Sequence, residues 1–524
     1  MTMLMRTHAT WRTIHSESVQ HNDYRIAEWT RVALLLLLTS VAARLSAQTV
    51  TVNFSSAVNS AGSPLMFGAS NEPNPADQST VTPMFWSSGL RFERGTIHTD
   101  QVVPSSTTIS AYMAEMPDGV GSYVSGSVAD PSTWNWVPLS WATYAKAQGM
   151  TTMADMLFVP KWLSYDDTNV STAPVNNWDS LGIVWEDIVT KIVKHELTAC
   201  NGGACLNYLE ILNEPTCGFL NVGSGDTSWS SEAQAADYYY FYAATAAHAA
   251  DSTLILGGDA DCNNGPSSWG DLPTIIEDST IKSEGLLKFA SYHDYTPDEA
   301  GDNIGDLSTL LSDNSYSGLP IFLTEWNYTY TNGTTDPHVV GDEAATYVGD
   351  QFIFFSQQSQ MKGTALYTML PNNVDASSYE DCTGCIITQG LYSVSGSTYT
   401  LANQMRTYRL MAVDLGLGAG TFSAFPATLS GLSSNDYALG YTNSVHNVAA
   451  VIVNDAAATT AAIKLENIDA SGCTYTVYIY YADTGSNTAT SPASTLTDQC
   501  ITSGTMTLSS LSLPAYSVTG IIIN

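Results

Sequence analysis

The chain has 524 residues, 44% of them hydrophobic, which is too long for one ordinary domain and suits a large core with a smaller one beside it. Lys and Arg number 17 against 50 Asp and Glu, a formal net charge of −33. Nucleic acid, anionic membrane surfaces and highly acidic polysaccharides would be repelled and are disfavoured as partners, and a well-solvated surface is the ordinary reading of such a charge.

Near the N-terminus, Arg31 precedes the apolar run Val32 to Leu38, and small residues follow through Ala43. This is the pattern of a secretory signal, with cleavage after Ala43 or Ala47, and the run is too short to span a bilayer comfortably. The thirty residues ahead of Arg31 are long for a signal's charged region, so translation is expected to start later than Met1. Residues 1–47 are assigned to this signal region. Eight cysteines behind a signal argue for disulfides; local pairing suggests Cys200–Cys205, Cys217–Cys262, Cys382–Cys385 and Cys473–Cys500, while the sequence leaves the connectivity open.

Thr49 to Phe54 alternates like a strand. Gly89 to Gly95 is a candidate first barrel strand carrying Arg91 and Arg94. Leu139 to Gly149 reads as a helix closed by glycine, and Met150 to Val159 as a strand ended by Pro160. A helix over 179–195 follows, then the short apolar run Tyr208 to Leu212, which delivers Asn213-Glu214-Pro215. Ser231 to Ala250 reads as a helix, Thr253 to Gly258 and Leu286 to Tyr295 as strands. Leu319 to Leu323 then delivers Thr324-Glu325-Trp326-Asn327. A helix over 344–358, a strand over 363–369 and a helix over 401–415 close the series. Strands alternating with helices in this way predict a (β/α)8 TIM barrel over 48–417. From Gly418 short, Ser/Thr/Gly-punctuated strands predict a C-terminal all-β sandwich over 418–524, to which the strand at 49–54 is a candidate addition.

Glu325 lies 111 residues after Glu214. One strand–helix unit takes roughly 30–40 residues, so if Glu214 ends the fourth strand, Glu325 ends the seventh, across the barrel mouth. Two carboxyls so placed are equipment for splitting a glycosidic bond. The triplet Asn71-Glu72-Pro73 matches Asn213-Glu214-Pro215 but follows no apolar run, and is read as a loop. No nucleophile elbow, zinc-protease helix motif or phosphate-binding loop is present, and neither metal nor cofactor is called for.

With these residues the chain resembles glycoside hydrolase family 39, in the large clan of retaining (β/α)8 glycosidases. The likeness rests on Phe158-Val159-Pro160-Lys161-Trp162-Leu163, Asn213-Glu214-Pro215, Leu256-Gly257-Gly258, Ser291-Tyr292-His293-Asp294-Tyr295 and Thr324-Glu325-Trp326-Asn327. It implies a carbohydrate substrate, Glu214 as acid/base and Glu325 as nucleophile, with Asn213 on the sugar 2-OH. The family is known mainly for β-xylosidases and α-L-iduronidases, and the acidity of this chain disfavours the anionic sugar of the latter. Where the clan often has tryptophan at the end of strand eight, this chain offers Tyr367 and Met369.

Supporting residues are weighed against structural roles. His293 and Tyr295 alternate, so they share one face, and Tyr295 is a candidate donor to Glu325; a core histidine is the competing reading. Arg91 is a candidate to support Glu325, against a salt bridge at the barrel bottom, and Arg94 competes for the same role. Trp162 and Trp326 are candidate sugar-stacking residues or core tryptophans. Oligomeric state is left open by the sequence.

Overall fold

The computed structural model describes residues 48–164, 178–201, 203–222, 229–262, 269–295, 303–329, 335–370, 390–395, 397–482 and 491–524. The signal region, the Cys382–Cys385 pair and two glycosylation sequons of the sequence, Asn169-Val170-Ser171 and Asn332-Gly333-Thr334, lie outside them.

Eight parallel strands close a barrel: β1 (Gly68–Ser70), β2 (Phe92–His98), β3 (Thr151–Leu157), β4 (Tyr208–Ile211), β5 (Ile255–Asp261), β6 (Phe289–Asp294), β7 (Ile321–Trp326) and β8 (Met361–Leu366), with β8 pairing back onto β1. Helices follow them in turn: α1 (Gln78–Ser87), α2 (Ser140–Gln148), α3 (Trp178–Ala199), α4 (Glu232–Ala250), α5 (Leu272–Glu277), α6 (Ile304–Asp313), α7 (Ala344–Gln357) and α8 (Asn403–Tyr408), the last continuing as a wider π-turn over Arg409–Asp414. Gly149 ends α2 in the left-handed region at φ 85°, and the Ser231 hydroxyl accepts from Gln234 N to start α4.

The strand predicted to be first is the second. The first is Gly68-Ala69-Ser70, too short and too small to show as an apolar run. Gly68 has no alternative there: a Cβ would lie 2.2 Å from Thr364 O and 2.3 Å from the Phe92 ring. Its carbonyl accepts from the buried Tyr408 hydroxyl at 2.7 Å, which ties α8 to β1. Asn71-Glu72-Pro73 is a loop, as expected, but a barrel strand does end there and places it at the mouth. The third strand also stops earlier than expected: Phe158 has φ 63°, so the ladder ends at Leu157, ahead of Pro160.

The C-terminal residues form the sandwich, and Thr49–Asn53 joins it, antiparallel to Phe422–Ser430 and parallel to Thr459–Glu466. Its interior holds Val50, Val52, Ile452, Ile463, Val477 and Ile521. Ala449–Asn454 is buried along its whole length because one face enters that interior while Val451 and Val453 pack on the barrel side. The contact is close: a Cβ on Gly349 of α7 would sit 2.6 Å from Val518.

Cys200–Cys205, Cys217–Cys262 and Cys473–Cys500 are bridged, the last with Cα atoms 3.8 Å apart. Replacing Cys473 and Cys500 by serine opens a 27-residue loop. The expected cost is about 3 kcal/mol, seen as a fall of several degrees in the calorimetric midpoint with the barrel unaltered. An unchanged midpoint would show that the bridge does not restrain the unfolded chain.

Candidate active site

The barrel interior is built in layers by the two-residue period of its strands. The lower layer is apolar: Phe92, Met153, Tyr208, Phe289, Phe322 and Ala365 pack together, with the Phe322 ring centroid 5.1 Å from those of both Tyr208 and Phe289. Two residues further along β2, β3 and β4 the layer turns polar, with Arg94, Asp155 and Glu210. On β7 the period alone would not bring Glu325 inward, since it lies an odd number of positions after Phe322. A bulge at Thr324 corrects this. Tyr292 pairs with Leu323 but His293 with Glu325, and the β8 register shifts at the same place. Glu325 thereby faces the mouth, while Trp326 turns outward onto α7.

On β4 the chain leaves the sheet through Leu212 at φ 78° and Glu214 at φ 47°. Glu214 N donates to Ala260 O of β5 at 3.2 Å, and the Cys217–Cys262 bridge holds the following turn to the same strand end. The Glu214 carboxyl accordingly overhangs the barrel.

The groups converge on Arg94. Its Nε donates to Glu210 Oε2 at 2.6 Å, Nη1 to Glu325 Oε1 at 2.8 Å and Nη2 to Asn213 Oδ1 at 2.6 Å. Glu325 Oε2 accepts from the Tyr295 hydroxyl at 2.5 Å. Glu214 Oε1 meets His293 Nδ1 at 2.7 Å, and that nitrogen is 3.7 Å from Glu325 Oε2. One oxygen of each glutamate and a ring nitrogen of His293 lie within 4.8 Å of one another. The Glu214 and Glu325 side chains keep 19% and 12% exposure, whereas His293 is fully buried. Burial opposes a charge on His293, but Glu325 and Glu214 outweigh it and raise its pKa.

A second ring of acids stands behind. Asp155 Oδ1 is 3.8 Å from Arg94 Nη1 and accepts from the Thr96 hydroxyl at 2.9 Å. Burial raises its pKa to about 6, with Arg94 pulling the other way. Glu72 accepts from Thr96 N at 3.1 Å, and burial raises it to about 7. Glu93, on the neighbouring position to Arg94, is raised well above the usual carboxylate range by burial and by Glu72.

Of the residues singled out from sequence, Asn213, Glu214, His293, Tyr295 and Glu325 come together in this mouth. Three do not. Arg91 enters β2 at its lower end, three residues before Arg94, and donates to Gly418 O, Trp86 O and Leu90 O with its guanidinium 4.1 Å over the Trp86 ring. It braces the barrel floor; the mouth position is Arg94's. Trp326 is fully buried against Phe355, Phe352 and Tyr347 of α7. Trp162 stacks one face on Tyr112 at 5.0 Å, donates to Pro104 O, is 5% exposed, and lines a separate cavity with Ser105, Thr107 and Lys161. Asn327, which opens the glycosylation sequon Asn327-Tyr328-Thr329, spends its amide on Tyr367 O at 2.6 Å and is fully buried, which removes it as a glycan acceptor in the folded protein.

Sequence reading missed Glu210, Asp155 and the Asn71–Tyr367 contact. A charged residue inside the apolar run Tyr208-Leu209-Glu210-Ile211 was the available signal for the first. The Tyr367 ring meets the Tyr295 ring edge-on at 5.9 Å and hydrogen-bonds Asn71, which puts the β1 and β8 ends on the same rim.

By sequence, the chain matches no protein-family model and no curated protein. By structure, it is similar to a glucosidase from Croceicoccus marinus (TM-score 0.62, 13% identity, covering 91% of this chain and 99% of that one). It is similar also to the GH39 enzyme from Xanthomonas axonopodis pv. citri (0.59, 14%, 91% and 97%) and to a monomeric β-xylosidase from Caulobacter crescentus (0.56, 15%, 91% and 99%). At these identities the likeness establishes a shared fold: a closed parallel (β/α)8 barrel with an attached β-sandwich, the architecture of these glycosidases.

Proposed function

We propose that the protein is a secreted, retaining glycoside hydrolase that cleaves O-glycosidic bonds in oligo- or polysaccharides, β-xylosidase-like in its sugar. The observation that carries this reading is the asymmetric support of two facing carboxyls. Glu325 is held by Arg94 and Tyr295, donors that favour its ionised form. Glu214 is the more exposed and meets only His293 among the contacts described above.

Their nearest oxygens, within 4.8 Å, fit the roughly 5–5.5 Å carboxyl spacing of retaining enzymes and leave no room for the water an inverting enzyme places between acid and base. In the first step a Glu325 oxygen attacks the anomeric carbon while Glu214 gives its proton to the departing oxygen. In the second, Glu214 takes a proton from water, the resulting oxygen attacks the same carbon, and the ester to Glu325 breaks. Asn213, whose Oδ1 is fixed by Arg94, has its NH2 group to offer a sugar hydroxyl. The three disulfides fit an oxidising compartment, and no described helix is long and apolar enough to cross a membrane.

A panel of nitrophenyl glycosides tests the reading. Turnover of the β-xyloside with retention at the anomeric carbon, followed by proton NMR, is the expected result. Preference for an arabinofuranoside or glucoside would move the sugar and keep the mechanism. No turnover of any glycoside, with sugars still bound, would make the barrel a carbohydrate-binding module.

A further inference from the structure

Three carboxylates face one guanidinium: Asp155 and Glu210 are buried with Arg94, and Glu325 keeps 12% exposure at the mouth. Glu210 and Glu325 bind Arg94 directly, at 2.6 and 2.8 Å. Asp155 stands off at 3.8 Å, is 1% exposed, and has the Thr96 hydroxyl at 2.9 Å. One fixed positive charge balances three negative ones poorly where most of the cluster is buried, so the group bound least directly is the one that takes a proton most readily.

We infer that Asp155 stores a proton which it releases when Glu325 is esterified, so that Arg94 keeps a matched charge through the covalent step. The inference rests on the double-displacement reading of the site. The balance is simple. Glu325 as carboxylate displaces an aryloxide from the glycoside and becomes a neutral ester; the aryloxide carries off the negative charge. Arg94 has then lost one of its three facing carboxylates. The attraction it exerted on Glu325 turns to Asp155, whose O–H breaks and whose proton passes to solvent, leaving a carboxylate that still accepts from the Thr96 hydroxyl. When water cleaves the ester, the Glu325 charge returns and Asp155 takes a proton back.

The groups facing Asp155 support this. Arg94 and Thr96 come from β2, Glu210 from β4, Glu325 from β7, Glu72 from the end of β1, and Tyr239 from α4. The Tyr239 hydroxyl is committed to Phe158 O at 3.1 Å. Glu210 and Glu325 add negative charge and work against ionisation of Asp155, as does Glu72 through its mutual repulsion with Asp155; Arg94 works for ionisation, and the Thr96 hydrogen bond adds a smaller push the same way. The Asp155 pKa of about 6, raised first by burial, places its titration where a change of one neighbouring charge empties or fills it. His293 also faces Glu325 and can give up a proton on esterification, so its share has to be separated.

The test uses the full chain with Glu214→Gln, which removes the acid/base proton, and a dinitrophenyl 2-fluoro-β-xyloside, with the corresponding glucoside in parallel. The leaving group needs no proton, and the trapped adduct is counted by intact mass. With an indicator dye near pH 6, Glu214→Gln is expected to release about half a proton per adduct more than Glu214→Gln/Asp155→Asn, the fraction a group titrating at about 6 holds there. Glu214→Gln/Glu72→Gln should release as much as Glu214→Gln. In the infrared difference spectrum of Glu214→Gln alone, a protonated-carboxyl stretch should disappear as the ester stretch grows, a reading that histidine cannot give and that needs no second variant to fold. An adduct formed with no loss of the carboxyl band overturns the inference alone, as does release that vanishes with Glu72→Gln and persists with Asp155→Asn. Absence of any adduct overturns the functional reading and the inference with it.

Discussion

Glu325→Ala is expected to lose hydrolysis of every glycoside, activated or not, by roughly 10⁴ to 10⁶-fold, because in the proposed mechanism the covalent intermediate forms on Glu325. Glu214→Ala is expected to lose about 10² to 10⁴-fold on natural substrates, the usual worth of a positioned acid/base. The two defects should part on a dinitrophenyl glycoside. Without Glu214 the first step survives, since dinitrophenolate leaves unprotonated; the second lacks its base, and glycosyl-enzyme accumulates. Azide needs no base, so it should restore turnover and yield a glycosyl azide with the anomeric configuration of the substrate. Without Glu325, azide can only act from the side the nucleophile occupied, and any product is inverted. Inverted azide from Glu325→Ala together with no response of Glu214→Ala would exchange the two assignments. Full activity of both variants would place the active site elsewhere. The bond from His293 Nδ1 to Glu214 at 2.7 Å adds a refinement: in Glu325→Ala this histidine loses a neighbouring carboxylate at 3.7 Å, so its pKa should fall, read as a downfield-shifted imidazole titration by NMR moving to lower pH.

The barrel could be read from the chain where its strands are apolar runs and its helices carry terminal signals. Tyr208–Ile211 and Ile321–Trp326 both do this, and counting units between them puts Glu214 after the fourth strand and Glu325 at the end of the seventh, as the structure has them. What failed to show had physical reasons. Gly68–Ser70 is a strand because Thr364 O and the Phe92 ring leave room for nothing larger, a constraint set by residues far along the chain. The place of the Asn71-Glu72-Pro73 loop at the mouth was hidden with it. Arg91 and Arg94 cannot be told apart by composition. The choice is set by height along β2, and that needs the register with Thr151–Leu157, which places Phe92 opposite Thr151 and Arg94 opposite Met153. The inward turn of Glu325 depends on the bulge at Thr324, a pairing property without a local sequence mark. Trp326 follows from the same bulge: once Glu325 faces in, its neighbour must face α7. The sandwich edge at Thr49–Asn53 was legible as a strand, but its partners, more than 370 residues away, were not.

Arg94→Met should damage both activity and stability, and the pH dependence of the stability loss is its signature. Catalytically, the variant removes the donor to Glu325 Oε1 and the anchor of Asn213, and a fall of about 10² to 10³-fold in kcat/KM is expected, comparable to removing one preorganised donor from a charged site. Structurally, it leaves Glu210, Glu325 and Asp155 facing one another without a counter-charge, and about 3 to 5 kcal/mol should be lost near neutrality. The sign follows from linkage. Asp155 already sits above its unfolded value through burial, and removing Arg94, which pulls it down, raises it further. The unfolded chain then ionises first as pH rises, and the variant loses stability through that range. Below the unfolded carboxylate range all three are protonated in both states and the penalty fades. Urea midpoints of wild type and variant should therefore converge toward pH 4 and separate between about pH 5 and 8, the interval that contains the wild-type Asp155 titration at about 6. Arg94→Lys retains a charge but not the three-way fork that reaches Glu210, Glu325 and Asn213 together, so it should recover most of the stability and little of the activity. A midpoint difference between wild type and Arg94→Met that stays constant from pH 4 to 8 would mean that packing volume, and not the charge on Arg94, holds these carboxylates in the barrel.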